Sequence, residues 1–479
     1  MDAVLTRADI STNPAMDVII FDKRYILKIR IKSTHFIPVS FLITIIIGTI
    51  LLLLPVASAS GEETDIVTAL FTATTSVCVT GLVVVDTYAH WSLFGQLVIL
   101  LLVQIGGLGV VAVGSMIMLA GKRKFSLSNR MLLGDSLNVD ESRGLMSFLT
   151  RVFQGVFLVE GIGAVLYAIR FIPMLGVGNG LWASLFQSVS AFCNAGMDVV
   201  GPNSMMDFQN SVFLMTVTML LIVMGGIGFV VWFDIIDGIK NGIKNRMHIS
   251  MVIRHLSEHT KIVLIMTFVL LAFGTVCVLA AEYDNPATIG NMDLGGKLLN
   301  SLFQSVTFRT AGFASVPQDQ LTELSCVTGY ILMFIGGSPV GTAGGVKTVT
   351  AFLVFMNAFS YIRGKKENVV FSRRVSEELM RKAAAVVFVS MCAVLVMTML
   401  LLTRGGITLT DALYEVVSAL ATVGLSRSLT PKLDTIGRLI IIVSMYLGRI
   451  GPISMAIFFT KGIDAGNKIR HAEGKLYVG

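Results

Sequence analysis

The chain has 479 residues, 54% of them apolar and only 14% charged, with a mean hydropathy of +0.79. That composition excludes a soluble domain; with no long polar segment left over, it predicts one polytopic membrane domain with cytoplasmic fringes. A membrane topology and anionic lipid headgroups account for the formal charge of +7, so nucleic acid is not a partner here.

The first residues are mixed polar, with no pattern of a cleavable signal. Lys23, Arg24, Lys28, Arg30 and Lys32 precede the first apolar run, Phe36 to Leu54, whereas Pro55 to Trp91 holds no lysine or arginine. This asymmetry predicts a cytoplasmic N-terminus. Further apolar runs near 91–119, 149–170, 208–236, 260–281, 325–360, 382–404 and 434–460 predict eight crossings in all. Basic loops at Lys122 to Arg151, Lys240 to Lys261 and Arg363 to Lys382 keep the alternation, and Phe171 to Asn210 has no lysine or arginine. The tail with Lys461, Lys468, Arg470 and Lys475 is then cytoplasmic as well.

Between paired crossings lie four similar segments: Ala69 to Gly81, Ser184 to Gly196, Ser301 to Gly312 and Ala412 to Gly424. Their final glycines are 115, 116 and 112 residues apart, a period long enough for two membrane helices and a link. The reading is an all-α integral membrane protein of four tandem helix–pore helix–helix repeats around one pseudo-fourfold ion pore. The divisions are a cytoplasmic segment at 1–34, repeats at 35–145, 146–255, 256–375 and 376–462, and a tail at 463–479.

Each glycine-ending segment is too short to cross a bilayer. A short helix that enters and returns must bury its irregular backbone in protein or against water. Thr64 with Asp65, and Thr410 with Asp411, offer capping oxygens at the outer ends, so the negative C-terminal ends face inward and favour a cation. Val77, Cys78, Val79, Thr80 and Gly81, and likewise Cys193, Asn194, Ala195 and Gly196, can then turn carbonyls toward an axis. Rings of such oxygens replace the hydration shell of potassium. One glycine of this kind is an ordinary helix C-cap; four in matching context are not. A single glycine per repeat, without a TVGYG run, predicts weaker discrimination than in tetrameric potassium channels.

The third repeat interrupts its second apolar run with Gly336, Gly337, Ser338, Pro339, Gly341, Thr342, Ala343, Gly344, Gly345 and Lys347, which no continuous helix accommodates. Glycine pairs at Gly106-Gly107 and Gly225-Gly226 fall at the same depth. A flexible polar segment there is a gate; a kink serving helix packing is the alternative. Arg449 sits at that depth in the fourth repeat. Facing the pore, it repels a cation at 10 Å by roughly 1.7 kcal/mol at an effective dielectric of 20. Its alternative is a salt bridge to Glu160 or Asp234. His255, Glu258 and His259 spell HxxEH in a basic loop without a further ligand, and Cys78, Cys193, Cys277, Cys326 and Cys392 show no CxxC spacing. Gly341 to Thr348 is not a phosphate loop, since Val346 separates glycine from Lys347.

The runs TTSVCVTGL (Thr74 to Leu82), FCNAG (Phe192 to Gly196), SVTFRTAGF (Ser305 to Phe313), ATVGLS (Ala421 to Ser426) and GGSPVGTAGGVKT (Gly336 to Thr348) resemble the pore subunits of the Trk/Ktr superfamily of potassium transporters. The likeness spans about residues 36–460. It is strongest to the sodium-dependent Ktr type, because the first repeat begins at Phe36 without an extra helix pair. The resemblance extends the potassium filter to Arg309, Thr310, Ala311 and Gly312 and to Ala421, Thr422, Val423 and Gly424. It also implies gating by the Gly336 to Lys347 loop with Arg449. Beyond the pore it implies a homodimer, a cytoplasmic nucleotide-binding regulatory ring and a multi-pass place in the plasma membrane. One departure is Arg427, which adds charge at the outer mouth. The functional expectation is inward passage of K+ through a gated channel-like pore, with Na+ as activator or coupling ion and no enzymatic step. The alternative is an alternating-access potassium symporter coupled to sodium or protons, a class that usually carries inverted repeats and midplane acids.

Overall fold

The computed structural model describes residues 15–18, 29–110, 112–115, 145–365 and 367–451. Most of the expected basic loop at Lys122 to Arg151 and the tail from Lys461 lie outside them. The helices are α1 (Ser33–Leu52), α2 (Ile66–Val77), α3 (Leu93–Leu108), α4 (Leu145–Leu175), α5 (Val177–Cys193), α6 (Val212–Gly226), α7 (Phe229–Lys244) and α8 (Ile249–His255). They continue as α9 (Glu258–Glu282), α10 (Leu294–Phe308), α11 (Glu323–Phe334), α12 (Thr348–Ile362), α13 (Glu377–Leu402), α14 (Leu409–Leu420) and α15 (Thr435–Ile450). The helices α2, α5, α10 and α14, which precede the four glycines, are 12 to 17 residues long and largely buried.

The described residues are mostly helical, as expected, with two small hairpins besides. β1 (Ala15–Val18) pairs antiparallel with β2 (Ile29–Lys32), and β3 (Val369–Val370) with β4 (Arg373–Arg374). The alternation Ile29, Arg30, Ile31, Lys32 is a strand signal that counting basic residues for topology passes over.

Burial is inverted relative to a water-soluble protein. The outer helices expose large apolar side chains, Phe268 at 74% and Phe388 at 69%, while Ser184, Ser188, Ser305 and Ser418 on the short central helices are fully buried. That arrangement suits a hydrocarbon solvent. By length and composition α4, α9 and α13 can cross a membrane, and α6 with α7 form a fourth candidate bent by 97°. The apolar helices α1, α3, α11 and α12 are shorter.

Capping sets the short helices. The Asp65 carboxylate accepts from the backbone N–H groups of Val67 and Thr68, and Asp293 accepts from that of Gly296. For α14 the cap is Thr408, which accepts from the Asp411 N–H at 3.1 Å, and not Thr410 as expected. Asp411 lies within the first turn, where it favours the helix dipole. α5 starts at Gly176 without a side-chain cap.

The short helices lock onto the outer ones through hydroxyls and small residues. Ser188 Oγ donates to the Glu160 carbonyl at 2.6 Å beside Gly163, and Ser305 Oγ donates to the Leu271 carbonyl at 2.9 Å beside Gly274. A Cβ on Gly274 meets Ser305 Oγ and stands 2.5 Å from Leu332 Cδ1. Gly274→Leu should therefore lower stability by about 1–3 kcal/mol. The control Gly161→Leu, at a site with nothing within 4 Å of the added Cβ, should leave the thermal midpoint in detergent nearly unmoved.

Candidate functional site

Each short helix ends in a strand with an unusual backbone. The residue two before the glycine, and the glycine itself, both have positive φ: Val79 (54°) and Gly81 (97°), Asn194 (59°) and Gly196 (67°). The same holds for Thr310 (64°) and Gly312 (84°), and for Thr422 (52°) and Gly424 (98°). Alternating signs of φ turn successive carbonyls to one side, which is how a backbone becomes an array of oxygen ligands. A valine or threonine in that region is costly and is kept only where its surroundings over-determine it.

The four strands meet. A Cβ on Gly196 lies 2.7 Å from both the Ala311 carbonyl oxygen and Gly312 Cα, and one on Gly312 lies 2.6 Å from the Val423 oxygen. On Gly424 it strikes the Thr80 carbonyl and stands 2.9 Å from Gly81 Cα, and on Gly81 it strikes the Ala195 carbonyl. Each glycine thus abuts the strand of the next repeat, and the fourth returns to the first. Any side chain at these positions pushes into backbone.

A hydroxyl in the last turns of each short helix pins its strand, a feature missed in the sequence. Thr75 Oγ1 accepts from the Gly81 N–H at 2.9 Å and Ser418 Oγ from the Gly424 N–H at 3.1 Å. Ser190 Oγ donates to the Met197 carbonyl, and Thr307 Oγ1 to that of Phe313 at 2.7 Å. The signal was a serine or threonine five or six residues before every repeat glycine.

Among the expected site residues, Val77 and Cys193 are the last helical residues of α2 and α5, and Cys78, Arg309 and Ala421 cap their helices. Thr80, Ala195, Ala311 and Val423 supply the carbonyls that face the neighbouring glycines. The Arg309 side chain is buried and turns away from its strand to the Gly336 carbonyl at 3.4 Å. The Asn194 amide is buried with no hydrogen-bond partner on either atom.

The Gly336 to Thr348 stretch leaves the helix after α11 and docks beneath the strands. Its Ser338 and Thr342 N–H groups donate to the Gly226 and Gly225 carbonyls at 2.9 and 3.1 Å, and its Val340 carbonyl accepts from Phe229 N–H at 2.9 Å. Thr342 Oγ1 donates to the Phe192 carbonyl at 3.1 Å, and the Gly344 N–H donates to Thr310 Oγ1 at 3.2 Å. The Lys347 ammonium folds back on the Ala343 carbonyl at 2.6 Å, and Ser338 Oγ meets Thr348 Oγ1 at 3.0 Å. Pro339, Gly341 and Gly345 complete the turns; Gly345 has φ 69°.

Arg449 reaches this loop from α15, donating to the Thr342 carbonyl at 2.8 Å and to the Gly106 and Gly107 carbonyls of α3. The alternative ion pairs are not made. Glu160 accepts from Gln104 Nε2 at 3.2 Å, and Asp234 from the Ser257 N–H and hydroxyl at 2.9 and 2.8 Å.

The glycine pairs lie within the second helices. Gly106 and Gly225 remain helical, and a Cβ on either meets the carbonyl of Val77 or Phe192 at the end of its own short helix; Gly448 does the same with Leu420. The pairs permit close approach. The second helices α3, α6 and α15 end one or two residues later, shortly before Gly109, Gly228 and Gly451, where φ is 91°, 91° and 93°. The run GGLG, GGIG and GRIG carries that third glycine in the sequence.

Arg427 is not a free charge. Its Nε donates to Asp411 at 2.8 Å and its Nη1 to the Gln318 carbonyl at 3.2 Å. Burial pushes the Asp411 carboxyl up, but the bonds from Arg427 and Thr408 outweigh it and hold the group below the ordinary carboxylate range. The HxxEH run is not assembled as a site, since Glu258 pairs with Arg373 at 3.0 Å; among the described residues no cluster of three metal ligands occurs. All five cysteines are unpaired by disulfides.

A family model described as TrkH, cation transport protein, matches residues 22–470. The chain is 37% identical over 451 residues to the Ktr system potassium uptake protein B of Bacillus subtilis, covering 94% of this chain and 98% of that one. It is 35% identical over 455 residues to the potassium/sodium uptake protein NtpJ of Enterococcus hirae, with the same coverage. The fold is similar to the crystal structure of the potassium transporter TrkH from Vibrio parahaemolyticus, with a TM-score of 0.68 at 15% identity over 88% of this chain and 85% of that one.

Thr75→Val should leave the buried Gly81 N–H unpaired and cost about 1–3 kcal/mol. Thr72→Val, which gives up only a bond to the Thr68 carbonyl in its own helix, should cost less, and thermal unfolding of the two variants compares them.

Proposed function

The chain belongs to the TrkH family of cation transport proteins, and on that premise we propose that it takes up potassium through a pore lined by four strands, those ending at Gly81, Gly196, Gly312 and Gly424. The observation that carries this reading is the closed succession of backbone contacts among those glycines, with carbonyls of alternating-φ strands around it. A K+ ion sheds water onto such oxygens and leaves again by exchange between adjacent sites. The C-terminal ends of α2, α5, α10 and α14 add negative potential there.

The remaining assignments follow from the same reading. The Gly336 to Lys347 loop is the gate, held shut by Arg449, whose charge adds to the barrier. Eight crossings in four repeats would put both termini on one side of the plasma membrane, and the basic residues before the first crossing support the cytoplasmic side. The names of the relatives support Na+ as activator or coupling ion and a Ktr-type regulatory partner, which docks on the basic loops of a homodimer.

A coupled carrier is the second reading, and Glu160 favours it: a carboxyl only 3% exposed, beside Cys193, with no cationic partner among the described residues. Ion flux into liposomes containing the protein alone separates the two. In the channel-like pore, wild type passes K+ over Na+ without a second ion, Gly196→Ser abolishes the preference, and Glu160→Gln leaves it intact. Flux that requires Na+ and loses that requirement in Glu160→Gln would establish the carrier instead.

A further inference from the structure

Three residues before its glycine, each of the four segments has a different side chain: Cys78, Cys193, Arg309 and Ala421. Only the third is charged, and it is only 7% exposed. Arg309 Nη2 reaches the Gly336 carbonyl at 3.4 Å, while its buried Nε has no hydrogen-bond partner among the described residues. Arg449, by contrast, donates to three carbonyls. No acid stands near enough to balance Arg309. α6, α10 and the Gly336 to Thr348 loop contain none, and the two of α9 lie at its ends, Glu258 paired with Arg373 and Glu282 accepting from Thr322 and Thr288. A charge withdrawn from water is held only where something compensates it.

Thr267, in the middle of α9, is 7% exposed, and its hydroxyl has no partner among the described residues either. A threonine within a helix ordinarily turns its hydroxyl back to the carbonyl four residues earlier, as Thr275 does to Leu271 at 2.7 Å and Thr328 to Leu324 at 2.9 Å. Arg309 and Thr267 line one cavity of about 10 Å³, whose remaining walls, among them Ile227, Leu271, Val306 and Gly337, are apolar or glycine. Backbone acceptors of that wall are already engaged. The Gly226 carbonyl accepts from the Ser338 N–H at 2.9 Å, that of Gly337 from the Thr348 N–H at 3.0 Å, and that of Leu271 from the hydroxyls of Ser305 and Thr275. The unsatisfied groups are therefore a guanidinium N–H, which can only donate, and a hydroxyl able to donate.

We propose that this cavity binds one monatomic anion, chloride in physiological salt, between the Arg309 guanidinium and the Thr267 hydroxyl. Two donors and a fixed positive charge exclude a cation. A space of this size takes a guest on the scale of one water molecule and shuts out phosphate and sulfate. Water accepts the same two bonds but leaves the arginine uncompensated, and that charge decides for the anion. The bound anion ties α9 to the end of α10 and, through Arg309, to Gly336. It also lets an arginine sit beside the third strand without adding net charge to a cation path. That last role rests on reading the strand as part of the potassium pore; the anion site itself does not.

Bromide tests the site, since it replaces chloride and scatters anomalously. Crystals of the full chain grown in bromide salt should show an anomalous peak beside Arg309 Nε and Thr267 Oγ1, and Thr267→Val crystals in the same salt should lose most of it. In detergent, the thermal midpoint should rise with the logarithm of chloride or bromide concentration, with gluconate holding ionic strength constant. Thr267→Val and Arg309→Gln should each flatten that rise, and Thr267→Ser, which keeps the hydroxyl, should retain it. A wild-type cavity without an anomalous peak holds water and overturns the proposal, as does a peak that Thr267→Val leaves unchanged. A midpoint indifferent to halide at fixed ionic strength overturns it too. Neither readout involves transport, so a protein that carries no potassium would end the pore reading and leave the anion site standing.

Discussion

The fold depends on one close approach: four backbone strands that touch at Gly81, Gly196, Gly312 and Gly424. Bringing them together buries irregular peptide groups at membrane depth, where an unpaired N–H or C=O costs several kcal/mol. The rest of the core answers that cost. Hydroxyls of Thr75, Ser190, Thr307 and Ser418 tie the strands to the helices that deliver them. Gly106, Gly225 and Gly448 let the second helices seat against the same helix ends. Ser188 and Ser305 draw the outer helices in. Polar residues are concentrated inside because the work of satisfying backbone is inside.

Much of this was legible in the sequence. Period and context located the four glycines, and their type follows from a physical need that a linear pattern expresses well, namely zero side-chain volume at positive φ. Proline among glycines gave away the interruption between α11 and α12 in the same manner. Less legible were positions whose constraint is borne by a neighbour. Val79, Asn194, Thr310 and Thr422 have φ values that their residue types do not advertise, because the strand on either side imposes them. The true ends of the second helices were missed by attending to glycine pairs instead of the glycine that follows. The cap at Thr408 and the Arg427–Asp411 pair depend on side-chain directions that spacing alone leaves undetermined.

The four glycine-ending segments share a frame but not a chemistry. A single chain lets each position around the centre differ, and the differences are large: Arg449 stands where α3 and α6 have Gly107 and Gly226, and the third repeat alone replaces its helix continuation by an extended loop. Arg449 binds the carbonyls of Thr342 and of Gly106 and Gly107, and with no carboxylate opposing it among the described residues, peptide dipoles face its charge. Such a residue fixes relative position and sets local potential at once.

The loop beneath the strands is anchored on four sides, by α6 with α7, by the end of α5, by Thr310 and by Arg449. Bonds in different directions on one short segment cannot be released one at a time without straining those that remain. At about 0.5–1.5 kcal/mol each, six of them hold the segment by on the order of 5 kcal/mol, a spontaneous displaced population below about one in a thousand. Motion of this segment is therefore all-or-none, and any property that depends on its position changes in a step and not by degrees.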